Sequence, residues 1–179
     1  MTIERFNFQR TCVEKTTGIV LNVGANEDPA NLKAVDPERV INCDIEAQDS
    51  YLNRPNKVDV LFDCTKKPWP FRDDYAQLVV FGDIIEHLYP KEARAALEEA
   101  HRVADKICIT VPRDKRWEKE GVEKSESGYR THCYEWHQQN LSDLLQDTGW
   151  EIVFWQTTDY FFVPEGYFVL ADRVEPGTF

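Results

Sequence analysis

Gly18-Ile-Val-Leu-Asn-Val-Gly-Ala-Asn-Glu-Asp-Pro29 is the segment that decides the fold, because it predicts a buried strand, a glycine turn and a helix start in succession. Residues 18–23 are rich in Val, Ile and Leu, which is typical of a strand covered on both faces in a parallel sheet. Gly24 lies where the backbone must bend or approach a ligand closely, and Pro29 is favoured at a helix start. We expect a ligand at this turn, since open α/β sheets bind small molecules at the carboxyl ends of their strands.

Strands and helices alternate outward from this segment. Further strands are predicted at residues 39–43, 58–62, 77–81, 106–111, 151–156 and 167–171, and helices at 31–35, 90–104 and 136–148. The helix at 90–104 has the clearest pattern, with apolar residues three and four positions apart. The alternation predicts an α/β fold: a Rossmann-like, doubly wound, mostly parallel sheet with helices on both faces and an antiparallel C-terminal strand.

The chain length favours one domain. Its 179 residues are 42% hydrophobic, which suits a single core spanning residues 1–179. Residues 1–17 are mixed in character and predict a short helix or a loosely docked N-terminal arm. Residues 113–135 begin with a charged, irregular run, which indicates a mobile loop that could close over a site as a lid.

Charge and cysteine content narrow the function classes. The net charge is −11 and the pI is near 4.8, which argues against nucleic acid or an anionic membrane as a partner. The five cysteines are an odd number and widely spaced, and no apolar run is long enough to span a bilayer. We therefore expect a reduced, cytoplasmic protein.

Acidic residues follow three of the predicted strands: Asp44, Asp63 and Asp83. In a parallel sheet these residues and Gly24 would share one edge. Asp44 follows Gly24 by 20 residues, the offset at which a carboxylate binds the ribose diol in nucleotide-binding α/β folds. The alternative is that each aspartate simply caps its own turn.

The order of these motifs resembles the class I S-adenosylmethionine-dependent methyltransferases over roughly residues 18–112. The matching segments are Leu21–Pro29, which resembles the cofactor loop of a small methyltransferase-11-like subgroup, followed by Val40–Asp44, Phe62–Phe71, Leu78–Leu88 and His101–Val103. One departure is Asn26, which replaces the usual second glycine of the cofactor loop. Asn tolerates left-handed backbone geometry and can stand in for it.

The resemblance implies a class I methyltransferase fold, S-adenosylmethionine as the cofactor, and methyl transfer as the reaction. It also implies a cofactor site made of Gly24, Ala25 and Asn26 under the methionine part, Asp44 at the ribose hydroxyls, Asp63 and Cys64 at the adenine, and Gly82 and Asp83 beside the sulfonium. Gly82 would keep the wall of the site thin.

Asp83 and His87 are the candidate catalytic residues. Glu86 and His87 follow Asp83 by three and four positions, so on a helical turn they would face the same cleft. His87 suits a general base, because its ordinary pKa is near neutrality. The alternative is a structural histidine bonded to a neighbouring loop. Methyl transfer can also proceed without a base, because the sulfonium is already activated.

A second polar and aromatic cluster precedes the last helix. Arg130, His132 and Tyr134 are candidate contacts for an anionic or aromatic acceptor, since the corresponding segment of the family often lines the acceptor pocket. The alternative is that Tyr134 and Trp136 pack at the helix start. No metal site is expected, because the histidines and cysteine at 132–137 lack further ligands nearby.

The favoured function is methyl transfer to a small-molecule acceptor. The competing hypothesis is a catalytically degenerate member of the same fold that serves as a binding or interaction module. A nicotinamide-dependent dehydrogenase would need three glycines after the first strand, and only Gly24 is present there.

Overall fold

A computed structural model describes residues 3–25, 30–46, 58–113, 133–158 and 165–174. The strands are β1 (Val20–Val23), β2 (Val40–Asp44), β3 (Val60–Leu61), β4 (Ala76–Gly82), β5 (Ala104–Arg113), β6 (Trp150–Thr158) and β7 (Glu165–Arg173). The helices are α1 (Ile3–Glu14), α2 (Leu32–Val35), α3 (Pro90–Val103) and α4 (Gln138–Asp147), with a 3-10 turn at Ile85–His87.

The described strands form one sheet in the order β3-β2-β1-β4-β5-β7-β6. The pairs from β3 to β5 are parallel, whereas β7 is antiparallel to both β5 and β6. The chain moves outward from β1 in one direction through β2 and β3, and then in the other direction from β4. The strand order therefore reverses between β1 and β4, which is where such sheets bind ligands. The predicted fold class is confirmed.

Successive strand residues point to opposite faces of the sheet, so the apolar residues form one cluster on each face. Helices cover both clusters. One cluster joins Val20, Val40, Leu78, Val80 and Cys108 of the strands to α1 and α2. The other joins Leu21, Val23, Val79, Phe81, Ile107 and Ile109 to α3 and α4. Among the described helices, none is both long and apolar enough to cross a membrane.

The N-terminal segment is a helix that packs firmly on the sheet. Cys12 and Val13 of α1 belong to the buried cluster on its face, and the Phe8 ring lies 5.3 Å from that of Phe168 and 5.5 Å from that of Phe154. Of the two forms expected for residues 1–17, the described part of this segment has the helix. Packing of α1 brings its first turns to the carboxyl edge of the sheet, where Arg5 meets Asp83.

Local chemistry accounts for the start of α3 and for the end of β5. Pro90 stands at the first position of α3, and the Glu92 carboxylate accepts a hydrogen bond from the Tyr89 N–H at 3.0 Å. β5 was expected to end before Pro112 but continues to Arg113. Pro112 lies beyond the last β4 partner and pairs only with Gly166 of β7, so its missing N–H breaks no bond to β4.

Candidate cofactor site

The register of β1 with its two neighbours assembles the candidate site. Val23 is level with Cys43 of β2 on one side and with Phe81 of β4 on the other. The residues that follow are therefore level as well: Gly24 stands between Asp44 and Gly82. Adjacent strands are about 5 Å apart, so this edge presents three neighbouring strand ends across about 10 Å. The predicted meeting of Gly24, Asp44 and the end of β4 occurs in the structure.

Gly24 makes the turn that the sequence predicts. Its φ is +78°, a left-handed conformation that L side chains rarely adopt, and its N–H donates to the Cys43 carbonyl at 2.9 Å. A Cβ on Gly24 would come within 1.9 Å of Ile84 Cδ1. Glycine is therefore required for two reasons: the backbone has a positive φ, and the Ile84 side chain, in the segment after β4, leaves no room for a Cβ. Ala25 is fully buried, and Asn26 lies outside the described residues.

Asp44 ends β2 at the same edge, and its side chain is half-buried. Its Oδ1 accepts the Glu46 N–H at 3.3 Å, and its main-chain carbonyl accepts the Phe62 N–H at 2.9 Å. The strand end is thus fixed by its neighbour while the carboxylate remains at the edge. Asp44 therefore lies at the strand end where the sequence predicts a ribose-binding carboxylate.

Asp63 and Cys64 follow β3. Asp63 Oδ1 accepts the Thr65 N–H at 2.9 Å and the Thr65 hydroxyl at 2.6 Å, so it caps its own turn, as the alternative interpretation expects. Burial, followed by the charges of Asp63 and Asp44, raises the pKa of Cys64 to about 12. Cys64 therefore remains a neutral thiol and could contribute an apolar wall.

The segment after Cys64 is clamped onto α3. The Trp69 N–H donates to Glu99 Oε2 at 2.7 Å, and the Trp69 indole N–H donates to the Cys64 carbonyl at 3.0 Å. Arg102 donates to Glu99 at 2.7 Å and to the Phe71 carbonyl at 2.9 Å. Two residues of α3 therefore hold the chain that carries the predicted adenine contacts.

Asp83 is held by groups from two other elements. It has a φ of +56°, and its N–H donates to the Thr110 carbonyl at 2.9 Å. The Thr110 hydroxyl donates to Asp83 Oδ1 at 2.9 Å, and Arg5 of α1 forms an ion pair with Oδ2. Both carboxylate oxygens of this predicted catalytic residue are therefore engaged by side chains of the protein.

Gly82 leaves room for a side chain of α1. A Cβ there would lie 2.8 Å from Gln9 Nε2, and Gln9 itself donates to the Thr110 hydroxyl at 2.7 Å. A continuous chain of hydrogen bonds thus runs from Gln9 through Thr110 to Asp83. The space beside Gly82 is filled on this side by α1.

Glu86 is the most unusual group at this edge. It is 1% exposed, and neither carboxylate oxygen has a hydrogen-bond partner in the described part of the chain. Burial raises the pKa of Glu86 to about 8, against the opposing effects of its own backbone N–H and of Arg5. His87 is partly exposed, and its Nε2 lies 4.0 Å from Glu86 Oε1. A buried carboxyl in this state can exchange a proton near neutral pH.

The segment before α4 lies against the 3-10 turn. The Cys133 and Tyr134 N–H groups donate to the Glu86 carbonyl, and the buried Trp136 donates its indole N–H to the Ile85 carbonyl at 3.0 Å. Tyr134 packs its ring 4.7 Å from that of Trp136. These contacts support the packing interpretation of Tyr134, while Arg130 and His132 lie outside the described residues.

Sequence reasoning missed Arg5, Gln9 and Thr110. Arg5 and Gln9 are four residues apart and so share one face of a helix, but nothing local shows which strand that face meets. Thr110 carried a weak signal, since it is the polar residue within the apolar run Ile107–Val111. A polar residue that is fully buried in a central strand needs a partner, and here Asp83 and Gln9 supply it.

The fold is similar to that of solved methyltransferases. A SAM-dependent methyltransferase from Methanosarcina mazei matches with a TM-score of 0.71 at 14% identity, over 97% of this chain and 98% of that one. The 1,6-didemethyltoxoflavin-N1-methyltransferase of Burkholderia thailandensis was solved with 1,6-didemethyltoxoflavin and S-adenosylhomocysteine. It matches with a TM-score of 0.66 at 14% identity, over 97% of this chain and 78% of that one.

A further similar structure is the magnesium protoporphyrin IX methyltransferase of Synechocystis with bound SAM. It matches with a TM-score of 0.63 at 15% identity, over 95% of this chain and 78% of that one. No protein-family model and no curated protein sequence matches the chain. At these identities the likeness shows the fold, which is that of the class I methyltransferases.

Proposed function

We propose that this protein binds S-adenosylmethionine at the carboxyl edge of its sheet and transfers the methyl group to a small-molecule acceptor. The observation that carries the proposal is the position of Gly24. It makes a left-handed turn at the point of strand reversal, level with Asp44 on one side and Gly82 on the other. At Gly24 a ligand can approach the backbone closely. It would lie between Asp44 at the end of β2 and the polar cluster that begins at Gly82.

The residues at this edge fit the cofactor. Asp44 would hold the ribose hydroxyls, Gly24 would pass under the methionine part, and the neutral thiol of Cys64 suits an adenine ring. At the other end, Glu86 is a buried carboxyl without a hydrogen-bond partner among the described residues. An orphaned carboxyl beside the end of β4 suits a ligand that brings a positive charge. Bound there, the cofactor would supply a methyl group activated by its sulfonium.

A small acceptor is favoured by charge and by structural similarity. The net charge of −11 works against a nucleic acid substrate. Two proteins of similar fold act on small aromatic molecules, namely 1,6-didemethyltoxoflavin and magnesium protoporphyrin IX. We expect the protein to orient such an acceptor against the methyl group, which supplies much of the rate. His87, partly exposed beside Glu86, is the proposed proton acceptor where the nucleophile carries a proton.

Calorimetric titration with S-adenosylmethionine, S-adenosylhomocysteine and NAD tests the cofactor. We expect micromolar binding of the first two alone, and Asp44→Ala should weaken both by more than tenfold. Asp105→Ala is the matched control, because Asp105 lies near the start of β5 at the opposite edge. Absence of binding would refute the proposal, and an unchanged affinity in Asp44→Ala would remove the ribose assignment.

Turnover is tested separately, by release of S-adenosylhomocysteine in the presence of acceptor panels rich in small aromatic hydroxyl and amine compounds. Detection of methyl transfer would support the proposed enzymatic activity. Binding of the cofactor without turnover on any panel supports the competing hypothesis of a degenerate module on the same fold.

A further inference from the structure

The inference concerns the charge cluster formed by Arg5, Asp83 and Glu86 at the carboxyl end of β4. Arg5 is 8% exposed and is ion-paired with Asp83, which also accepts the Thr110 hydroxyl. Glu86 is 1% exposed, and both its oxygens lack a partner within the described ranges. The cluster thus contains two carboxyl groups and one guanidinium, and the guanidinium is already engaged by Asp83.

An ionised Glu86 would be a buried charge without a counter-charge, which is costly. Burial accordingly raises the pKa of Glu86 to about 8 although Arg5 opposes the shift. His87 Nε2 lies 4.0 Å from Glu86 Oε1, and a further carboxyl, that of Glu135, belongs to the segment whose Cys133 and Tyr134 N–H groups donate to the Glu86 carbonyl. The carboxyl is therefore mostly protonated at pH 7, and the cluster of Arg5, Asp83 and Glu86 is electrically balanced only in this form.

We propose that Glu86 is the counter-charge for a cationic group bound at the end of β4, and that it gives up its proton when that cation binds. The inference rests on the proposed function, in which the cation is the sulfonium of S-adenosylmethionine. A positive charge brought into a buried site stabilises the ionised carboxyl strongly, because the surroundings screen the attraction poorly.

The same exchange balances the reaction. An acceptor oxygen or nitrogen forms its bond to the methyl carbon, the carbon–sulfur bond breaks with its electron pair on sulfur, and the acceptor loses one proton. His87 takes up this proton and passes it to Glu86, whose Oε1 lies 4.0 Å from His87 Nε2, so the site loses the sulfonium charge and the carboxylate charge together. The neutral product S-adenosylhomocysteine needs no counter-charge. We therefore expect the cluster to favour the charged cofactor over its product.

The test compares proton release on binding in the wild type, Glu86→Gln and Glu98→Gln. Glu98 is the matched control, since it is an exposed glutamate of α3 paired with Lys67. Titrations with S-adenosylmethionine and S-adenosylhomocysteine are run at pH 7 in buffers of different ionisation enthalpy. The α-amino groups of the ligands can also titrate near this pH, so the readout is the difference between each variant and the wild type.

With S-adenosylmethionine we expect the wild type and Glu98→Gln to release between half a proton and one proton more than Glu86→Gln. With S-adenosylhomocysteine we expect the wild type and both variants to release the same number of protons. From pH 7 to 8 the affinity of the wild type for S-adenosylmethionine should rise threefold to tenfold relative to Glu86→Gln, because less of the carboxyl must be deprotonated.

If each ligand binds but the wild type and Glu86→Gln release equal numbers of protons, the inference is overturned and the proposed function stands. Absence of binding by either ligand would overturn both. If Glu86→Gln does not fold, infrared difference spectra of the wild type decide the matter. Loss of a protonated carboxyl band on adding S-adenosylmethionine, but not S-adenosylhomocysteine, supports the inference, and equal spectra refute it.

Discussion

Replacing Arg102 with Met should destabilise the protein far more than the same change elsewhere on α3. Arg102 donates to the Glu99 carboxylate at 2.7 Å and to the Phe71 carbonyl at 2.9 Å. The side chain of Glu99 is 8% exposed, and that of Arg102 is 28% exposed. Without the guanidinium, Glu99 keeps only the Trp69 N–H as a hydrogen-bond partner among the residues that the structure describes.

Breaking a buried ion pair from one side costs about 3–5 kcal/mol, and the partial exposure of Arg102 favours the lower end. For a chain of this size, about 3 kcal/mol corresponds to a fall in Tm of about 6–12 °C. Because the clamp holds the chain after Cys64, Arg102→Met should also weaken binding of S-adenosylmethionine.

Urea denaturation and calorimetry measure the effect, with Arg94→Met as the control. Arg94 makes an exposed ion pair with Asp147, so its loss should cost less than about 1 kcal/mol. Although burial opposes the shift, hydrogen bonds from Arg102 and from the Trp69 N–H lower the pKa of Glu99. The contribution of the pair is therefore present above pH 4.5 and is lost as the pH falls below it. Equal losses in the two variants would refute the clamp.

Three further predictions follow from the site. Gly24→Ala should cost about 1–3 kcal/mol from the strained φ and the clash with Ile84; a double-mutant cycle with Ile84→Ala should show coupling, and strict additivity would contradict the clash. Burial, aided by neighbouring carboxylates, raises the pKa of Cys43 and Cys64 to about 12. Iodoacetamide at pH 8 should therefore label both roughly a thousandfold more slowly in the native protein than in urea, as read by mass spectrometry. Since folding raises the pKa of Glu86 from 4.5 to about 8, the folded state holds the extra proton and wild-type stability should fall as the pH rises through this interval; Glu86→Gln should flatten this slope in urea denaturation, and an unchanged slope would place the effect elsewhere.

The parallel half of the sheet was predictable because its signals are local. Apolar runs give β1, β2 and β4, and the glycine after β1 gives the turn. β3 is shorter than the apolar pattern of residues 58–62 indicates, since only Val60 and Leu61 pair with β2. The position of β7 between β5 and β6 has no local signature, because pairing partners are chosen by the whole sheet.

The candidate site was predictable to the same extent. The strand ends at Asp44 and Asp83 follow from the fold class, and their meeting with Gly24 follows from parallel register. The partner of Asp83 does not: Arg5 lies on a helix without a clear apolar stripe, and its docking depends on contacts made across the sheet. The burial of Glu86 could not be predicted from the sequence either, because it depends on all the segments that pack around this residue.

The interior position of β7 has a consequence for the order of events during synthesis. β6 leaves the ribosome first, yet within the described sheet it pairs only with β7, which is made later. Until β7 has emerged, β5 presents an open edge bearing Ile107 and Ile109. A nascent chain paused at this stage would expose an edge suited to pairing with another chain. The interval between β6 and β7 is thus when we expect the protein to depend most on chaperones.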